Sequence, residues 1–324
     1  MTKSNISFHD IYTSHDNDYN EIIHGLIESK QKTLSPKYFY DENGSSLFDK
    51  ITTLDDYYPT KKEIEILENH NEEFYNILPA NSSVIEFGSG SNKKIKKFLN
   101  ALDKPTEYIP IDISRDFLFK NAQDSAKNFP NLRIKAVCAD FNQINDIEEI
   151  IDTKNSKIGF FPGSTIGNYT PESAISLLEK FAKILGEDNF LIVGVDLKKN
   201  IEILEKAYND SEGITAKFNK NILNGINKIS GAIFKEENFS HRAFFNEKKS
   251  RIEMHLVSKK NQTVKIFKET VSFTEGETIH TENSYKYSVE NFKKLAESAS
   301  YELIKVLTDK SSFFGIFFLK VKSF

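Results

Sequence analysis

The stretch that most constrains the fold is Val84-Ile85-Glu86-Phe87-Gly88-Ser89-Gly90-Ser91, with Asn92 to Leu99 behind it. A short apolar run enters a small-residue turn, and Ile95, Phe98 and Leu99 then recur at helical spacing. The pattern predicts strand, tight loop and helix, the opening unit of a nucleotide-type α/β site. Gly88 and Gly90 allow positive φ and a close approach of ligand to backbone. A dinucleotide fingerprint needs a third glycine so that the helix packs closely behind a pyrophosphate. Lys93 stands at that position, and the Gly-four residues-Gly-Lys-Ser/Thr phosphate loop is missing as well. An acid, Glu86, directly before Gly-Ser-Gly points to a ligand carrying adenosine and an amino acid but no phosphate. S-adenosylmethionine is such a ligand.

Downstream, apolar runs alternate with helical patterns. Strands are expected at Tyr108–Ser114, Ile134–Phe141, Ile158–Phe161 and Phe190–Asp196. Helices are expected at Arg115–Asn128 and from Pro171, with Thr170 as cap and Pro171 at the first helical position. Near-continuous apolar strands between helices mean a parallel sheet covered on both faces. After Asp196 come helices at Ile201–Tyr208 and Ala216–Ile229, then a period-two pattern from Phe239 that reads as an antiparallel meander. The α/β rhythm returns with a helix at Ser288–Ala299 and two closing strands, Tyr301–Leu307 and Phe313–Val321. An antiparallel pair ending a parallel sheet is the Rossmann-like, class I methyltransferase architecture, and the meander is an insertion into it.

The expected division is therefore a methyltransferase domain over 61–196 and 287–324. An α+β substrate-recognition domain takes residues 1–60 and 197–286, with the N-terminal segment joining the insertion over the cleft. In that segment a short amphipathic helix is expected within 14–33. Asp41–Gly44 reads as a turn before a helix entered at Ser45, and Thr60 caps the helix carrying Ile64, Ile66 and Leu67.

Composition excludes several classes. The net charge of −4 supplies no basic field for nucleic acid. No apolar run reaches membrane-spanning length, and the first ten residues lack a signal-peptide core. Cys138 is the only cysteine, which rules out an internal disulfide or a cysteine zinc site. His241, His255 and His280 lack ligand spacing and clustered partners, so no metal is expected. A cytoplasmic monomer working on a small molecule is the expectation.

In an open parallel sheet, ligands bind outside the carboxyl ends of the strands. Glu86, Gly88, Ser89 and Gly90 fall there, as do Asp112, suited to the ribose hydroxyls, and Asp140 with Phe141, suited to the adenine edge and face. Lys94, in the first turn of the helix, is a candidate for the cofactor's carboxylate.

Seven motifs carry a resemblance: Lys37–Asp41, Asp56–Thr60, Glu86–Gly90, Pro162–Asn168, Ala207–Asp210, Gly213–Asn221 and Ile252–Met254. In order and over nearly the whole chain, they resemble the histidine-specific Nα-methyltransferases of ergothioneine biosynthesis. The resemblance implies three methyl transfers from S-adenosylmethionine to the α-amine of histidine, giving hercynine. It assigns Asn168 and Tyr208 to the substrate's carboxylate and amine end. Tyr57, Glu282 and Ser284 grip the imidazole, Met254 lines its pocket, and Tyr40 lies near the amine. Independently, Glu282 and Ser284 sit two apart in an extended stretch and share one face. A carboxylate beside a hydroxyl suits neutral imidazole, which offers one donor and one acceptor. The alternatives are methylation of another aromatic amino acid or an indole amine, and a binding protein with a retired site.

Overall fold

In a computed structural model the chain is described over residues 5–12, 16–141, 148–151 and 154–323. The described strands are β1 (Ile6–Asp10), β2 (Lys32–Thr33), β3 (Ser83–Phe87), β4 (Glu107–Asp112), β5 (Arg133–Cys138), β6 (Lys157–Phe161) and β7 (Phe190–Asp196). They continue with β8 (Phe239–Asn246), β9 (Arg251–Ser258), β10 (Gln262–Ile266), β11 (Glu269–Phe273), β12 (Thr278–Tyr285), β13 (Tyr301–Thr308) and β14 (Phe314–Val321). The chain divides into two compact units. The larger comprises Met1–Tyr12, Pro59–Lys198 and Lys286–Phe324, and the smaller Thr13–Tyr58 and Lys199–Tyr285.

The larger unit carries one eight-stranded sheet in the order β1-β5-β4-β3-β6-β7-β14-β13. The pairs from β1 across to β7 are parallel, and β14 runs antiparallel to both β7 and β13. Strand order reverses at β3, the switch point where a crevice opens beyond the carboxyl ends. Val84, Ile85 and Phe87 of β3 are wholly buried, which is why their run shows no polar alternation. This is the class I methyltransferase arrangement expected from the sequence. The helices Arg115–Asn128 and Pro171–Leu185 fall where expected, and Thr170 Oγ1 accepts the Ser173 N–H at 3.3 Å.

One boundary differs. Residues 1–60 were expected together in the substrate domain, yet β1 adds to the large sheet, pairing Ile6 with Ile134 through Asp10 with Cys138. Without β1, β5 would be an edge with a row of unpaired backbone groups. Phe8 of β1 also packs edge-on against Phe119, with ring centroids 5.3 Å apart. The helix expected from Thr60 begins at Tyr58, with Pro59 in its first turn.

The smaller unit contains helices Glu42–Ile51, Ile201–Tyr208 and Ile214–Ser230 and a sheet in the order β2-β12-β9-β8. The expected meander is not continuous: among the described residues β10 and β11 pair only with each other, and β2 joins β12 in parallel. The hairpin instead buries Phe273 against Phe239 and Phe234, at 5.5 and 6.1 Å. The N-terminal helix spans Asp16–Ile23 and passes into a π-helical turn, His24–Glu28, while the expected start at 14 lies outside the described residues. Gly44 is not a turn glycine. Asp41 caps the helix through the Gly44 N–H at 2.9 Å, and a Cβ at Gly44 would lie 1.7 Å from the Phe39 carbonyl oxygen. Among the described residues, no helix is long and apolar enough to cross a membrane.

Candidate active site

In the larger unit, the β3 loop is tied to β4. The N–H groups of Gly88 and Ser89 both donate to the Ile111 carbonyl at 2.9 Å, and Gly88 takes φ +77°. That positive φ is the reason for glycine here. A Cβ on Gly88 would stand 3.4 Å from the Phe141 ring, so the loop and Phe141 flank one side of the crevice. Gly90 has nothing within 4 Å of where a Cβ would be, leaving open backbone. Asp112, half-buried at the end of β4, accepts the Ser114 N–H at 2.7 Å. Burial pushes its carboxyl up to about 6 despite bonds from Ser114 and Ile113. Asp140 follows the end of β5, half-buried beside Phe141.

Glu86 sits deeper than an acid that touches ligand alone would require. It is 2% exposed, and its Oε2 accepts the Tyr108 hydroxyl at 2.5 Å. Burial raises it to about 7 against bonds from Tyr108 and Ser89 and the nearby Lys94 charge. Lys94 lies within an ion pair, its Nζ 2.7 Å from Glu63 Oε2. The turn after β6 places Asn168 at the end of a short 3₁₀ segment, Thr165–Asn168, that follows Ser164 in left-handed conformation at φ 59°. Ser164 Oγ accepts the Asp196 N–H at 2.9 Å, and Asp196 is in turn paired with fully buried Lys286 at 2.7 Å. Thr60-Lys61-Lys62-Glu63 reads as a capping box, but the helix starts at Tyr58, and the Glu63 carboxylate goes to Gly163 and Lys94 instead. The pairing of Asp196 with Lys286 carried no sequence signal, because the partners are distant along the chain.

The smaller unit gathers Tyr40, Tyr57, Tyr208, Met254, Glu282 and Ser284. Tyr40 and Phe48 rings lie 5.9 Å apart, Phe48 and Tyr57 6.3 Å, and Tyr57 and Tyr208 6.3 Å, all edge-on. The Tyr208 hydroxyl donates to Ser284 Oγ at 2.8 Å. On β12, Glu282 is opposite Met254 and Ser284 opposite Ile252, after a bulge between His280 and Glu282. The bulge preserves the shared face of Glu282 and Ser284. Phe48 links the two ends of this chain of rings and was missed in the sequence, where it read as an ordinary helix-entry apolar residue.

Three buried polar side chains shape this face. Asp210 accepts the N–H groups of Ile214 and Thr215 at 2.8 Å each, capping the helix after Tyr208. Asn219 accepts the Thr281 hydroxyl at 2.7 Å beside the bulge, and Asn221 donates to Asp41 Oδ1 at 2.8 Å near Tyr40. The 213–221 motif is thus a set of struts under the site.

The expectation that the histidines have no clustered partners needs correction. Glu253, His255 and His280 bring one ligand-type atom each within 4.8 Å of one another. Period two on β9 and the cross-strand pairing of His255 with His280 put them on one face. The imidazoles, however, stack 4.6 Å apart at 10°. Stacked rings hold their in-plane lone pairs in separate parallel planes, which does not suit a shared ion. Arg251 Nε also donates to Glu253 Oε1 at 2.8 Å. Burial would raise Glu253, but the Arg251 bonds outweigh it and hold it at about 2. Burial, then the neighbouring His255, lowers His280 to about 4. The cluster is a stacked, ion-paired ladder. His241 stands apart, its Nδ1 2.9 Å from Asn219 Nδ2 and its Nε2 2.9 Å from the Tyr208 carbonyl oxygen.

With this geometry in hand, comparison with known proteins is decisive. The model of the family described as "Histidine-specific methyltransferase, SAM-dependent" matches residues 18–321. The chain belongs to this family. It is 34% identical to histidine N-alpha-methyltransferase of Mycobacterium tuberculosis (strain CDC 1551 / Oshkosh) over 91% of this chain and 92% of that protein. It is 28% identical to ergothioneine biosynthesis protein 1 of Schizosaccharomyces pombe, over 85% of this chain and 37% of the longer fungal protein. It is 30% identical to 4-dimethylallyltryptophan N-methyltransferase of Claviceps purpurea, over 53% of this chain and 52% of that protein.

As a member of this methyltransferase family the chain uses S-adenosylmethionine, and its residues fit that group. Gly90 leaves open space beside the loop, Phe141 offers an apolar ring next to Gly88, and the ligand's charge and hydroxyls suit the two carboxyls raised by burial, Glu86 and Asp112.

Proposed function

We propose that this chain methylates the α-amine of L-histidine three times, producing hercynine for ergothioneine biosynthesis. Family membership and the mycobacterial relative support the histidine reading. The observation that carries it in the structure is Tyr208 bonded to Ser284 at 2.8 Å, with Glu282 on the same face of β12. An acceptor carboxylate and a hydroxyl two residues apart match the two ring nitrogens of neutral imidazole. An indole offers only a donor and would leave Ser284 without a ring partner.

In this reading Gly88, Ser89, Gly90, Asp112, Asp140 and Phe141 hold the adenosine, Lys94 meets the cofactor's carboxylate, and Glu86 supports the loop with negative charge. Bound S-adenosylmethionine supplies a methyl group on a sulfonium, open to in-line displacement. Tyr57, Met254, Glu282 and Ser284 hold the imidazole, and Asn168 and Tyr208 hold the carboxylate and amine end. The nucleophile is the neutral amine, so the side chains around it orient and do not grip it strongly. Fixing the amine at attack distance supplies several kcal/mol of the rate enhancement. Tyr40 or water takes the proton that the amine loses before each transfer, and the third transfer leaves a quaternary ammonium with no proton to release.

The test is a mass-spectrometric assay of purified protein with S-adenosylmethionine and each of the twenty amino acids. Histidine should gain up to three methyl groups and tryptophan none. Comparable turnover of tryptophan would overturn the reading in favour of an indole amine acceptor.

A further inference from the structure

We propose that Glu63 is a positioning residue for the amino-acid end of the cofactor, acting through Lys94. This rests on the reading above that Lys94 meets the cofactor's carboxylate.

Glu63 lies on the helix Tyr58–Asn69 and is 0% exposed. A bare carboxylate in such a place is costly unless its oxygens are fully engaged. Here both oxygens accept the Gly163 N–H at 3.0 Å, and Oε2 also receives Lys94 Nζ at 2.7 Å. Two glycines make room for this arrangement. A Cβ at Gly194 of β7 would fall 2.1 Å from Glu63 Oε1, and one at Gly163, where φ is +79°, would fall 3.1 Å from Lys94 Nζ. The site is therefore built around the pair.

A lysine ammonium is a compact charge on a flexible stem with three donors. Pinning one donor on Glu63 leaves two aimed elsewhere, and the Lys94 side chain retains 15% exposure while Glu63 has none. One flank of the ammonium is locked and the other faces outward. Glu86 competes for the same charge, since Lys94 lowers the pKa of Glu86 from nearby. Glu63 decides that contest by geometry, holding the ammonium against the Gly163 turn. The same carboxylate thus sets both Lys94 and the turn that leads to Asn168. The ligand chemistry that fits the outward donors is a carboxylate, as in the methionine moiety of the cofactor.

The experiment compares binding of S-adenosylhomocysteine and 5′-methylthioadenosine by calorimetry in wild type, Glu63→Gln and Lys94→Met. Methylthioadenosine keeps the adenosine and sulfur but has no carboxylate for Lys94. Glu63→Gln keeps the shape and an acceptor for Gly163. Both variants should weaken S-adenosylhomocysteine about tenfold and leave methylthioadenosine within about twofold. If only Lys94→Met shows the selective loss, the role of Glu63 is wrong and the Lys94 reading stands. If Lys94→Met shows no selective loss, the underlying reading fails and takes the proposal with it. Equal weakening of both ligands by Glu63→Gln would make it a structural residue only, and would overturn the proposal. Should Glu63→Gln not fold, Glu63→Asp, which retains the charge but withdraws it by one methylene, carries the same comparison.

Discussion

Lowering the pH from about 8 to about 6 should weaken cofactor binding about twentyfold, through Glu86 and Asp112. Burial raises these carboxyls to about 7 and about 6. A ligand that brings a sulfonium and an ammonium, and ribose hydroxyls that need acceptors, binds the ionised forms. At about pH 6, Glu86 is about one-tenth ionised and Asp112 about one-half, so the competent fraction is about one-twentieth of that at about pH 8. The sign is fixed by the direction of the shifts: protonation removes the binding form, so affinity rises with pH through this window. Folding stability of the ligand-free protein moves oppositely. A carboxyl raised in the folded state contributes stability that is complete below the ordinary carboxylate range and is lost as pH rises through about 7. The assay is calorimetry with S-adenosylmethionine in buffers of different ionisation enthalpy, which reports both affinity and protons released. In Glu86→Gln the drop should shrink to about twofold, the part due to Asp112. A flat affinity between about pH 8 and about 6, with no proton release, would refute the reasoning.

Two further outcomes follow from the same structure. Glu282→Ala should raise the dissociation constant for histidine more than about tenfold and leave S-adenosylhomocysteine within about twofold, since a charged acceptor is removed from one ligand only; unaltered histidine affinity would sink the imidazole assignment. Phe181 stacks on Phe87 at 3.7 Å and meets Phe161 edge-on at 5.2 Å, all three buried. Phe181→Ala should therefore cost about 3–5 kcal/mol in denaturant unfolding, and a loss below about 1 kcal/mol would show that this core readily refills the space.

Much of the larger unit was legible because its rules are local. Val84, Ile85 and Phe87 are wholly buried, so their run shows no polar alternation apart from Glu86, and Thr170-Pro171 writes a helix start into consecutive residues. The missing third glycine at Lys93 likewise spoke directly against a pyrophosphate. Glu282 and Ser284 were readable as a pair because an extended chain has period two, and the bulge before them did not disturb their common face.

Tertiary structure decided what depends on partners far along the chain. The sequence assigns the β1 stretch to the substrate domain, and only pairing with the edge of β5 gives it a place in the large sheet. Gly44 resembles a turn glycine until the Phe39 carbonyl arrives against it. His255 and His280 are twenty-five positions apart in the sequence, so their stacking could not be read from spacing. The same holds for Lys94, whose charge the sequence assigns to a helix start but whose carboxylate partner, Glu63, is supplied by another helix. The sequence by itself determined the periodicities, caps and glycine loop, because these are set by neighbouring residues. Which buried charges meet was decided only when the chain closed on itself, because pairing energy depends on distance in space and not on separation along the chain.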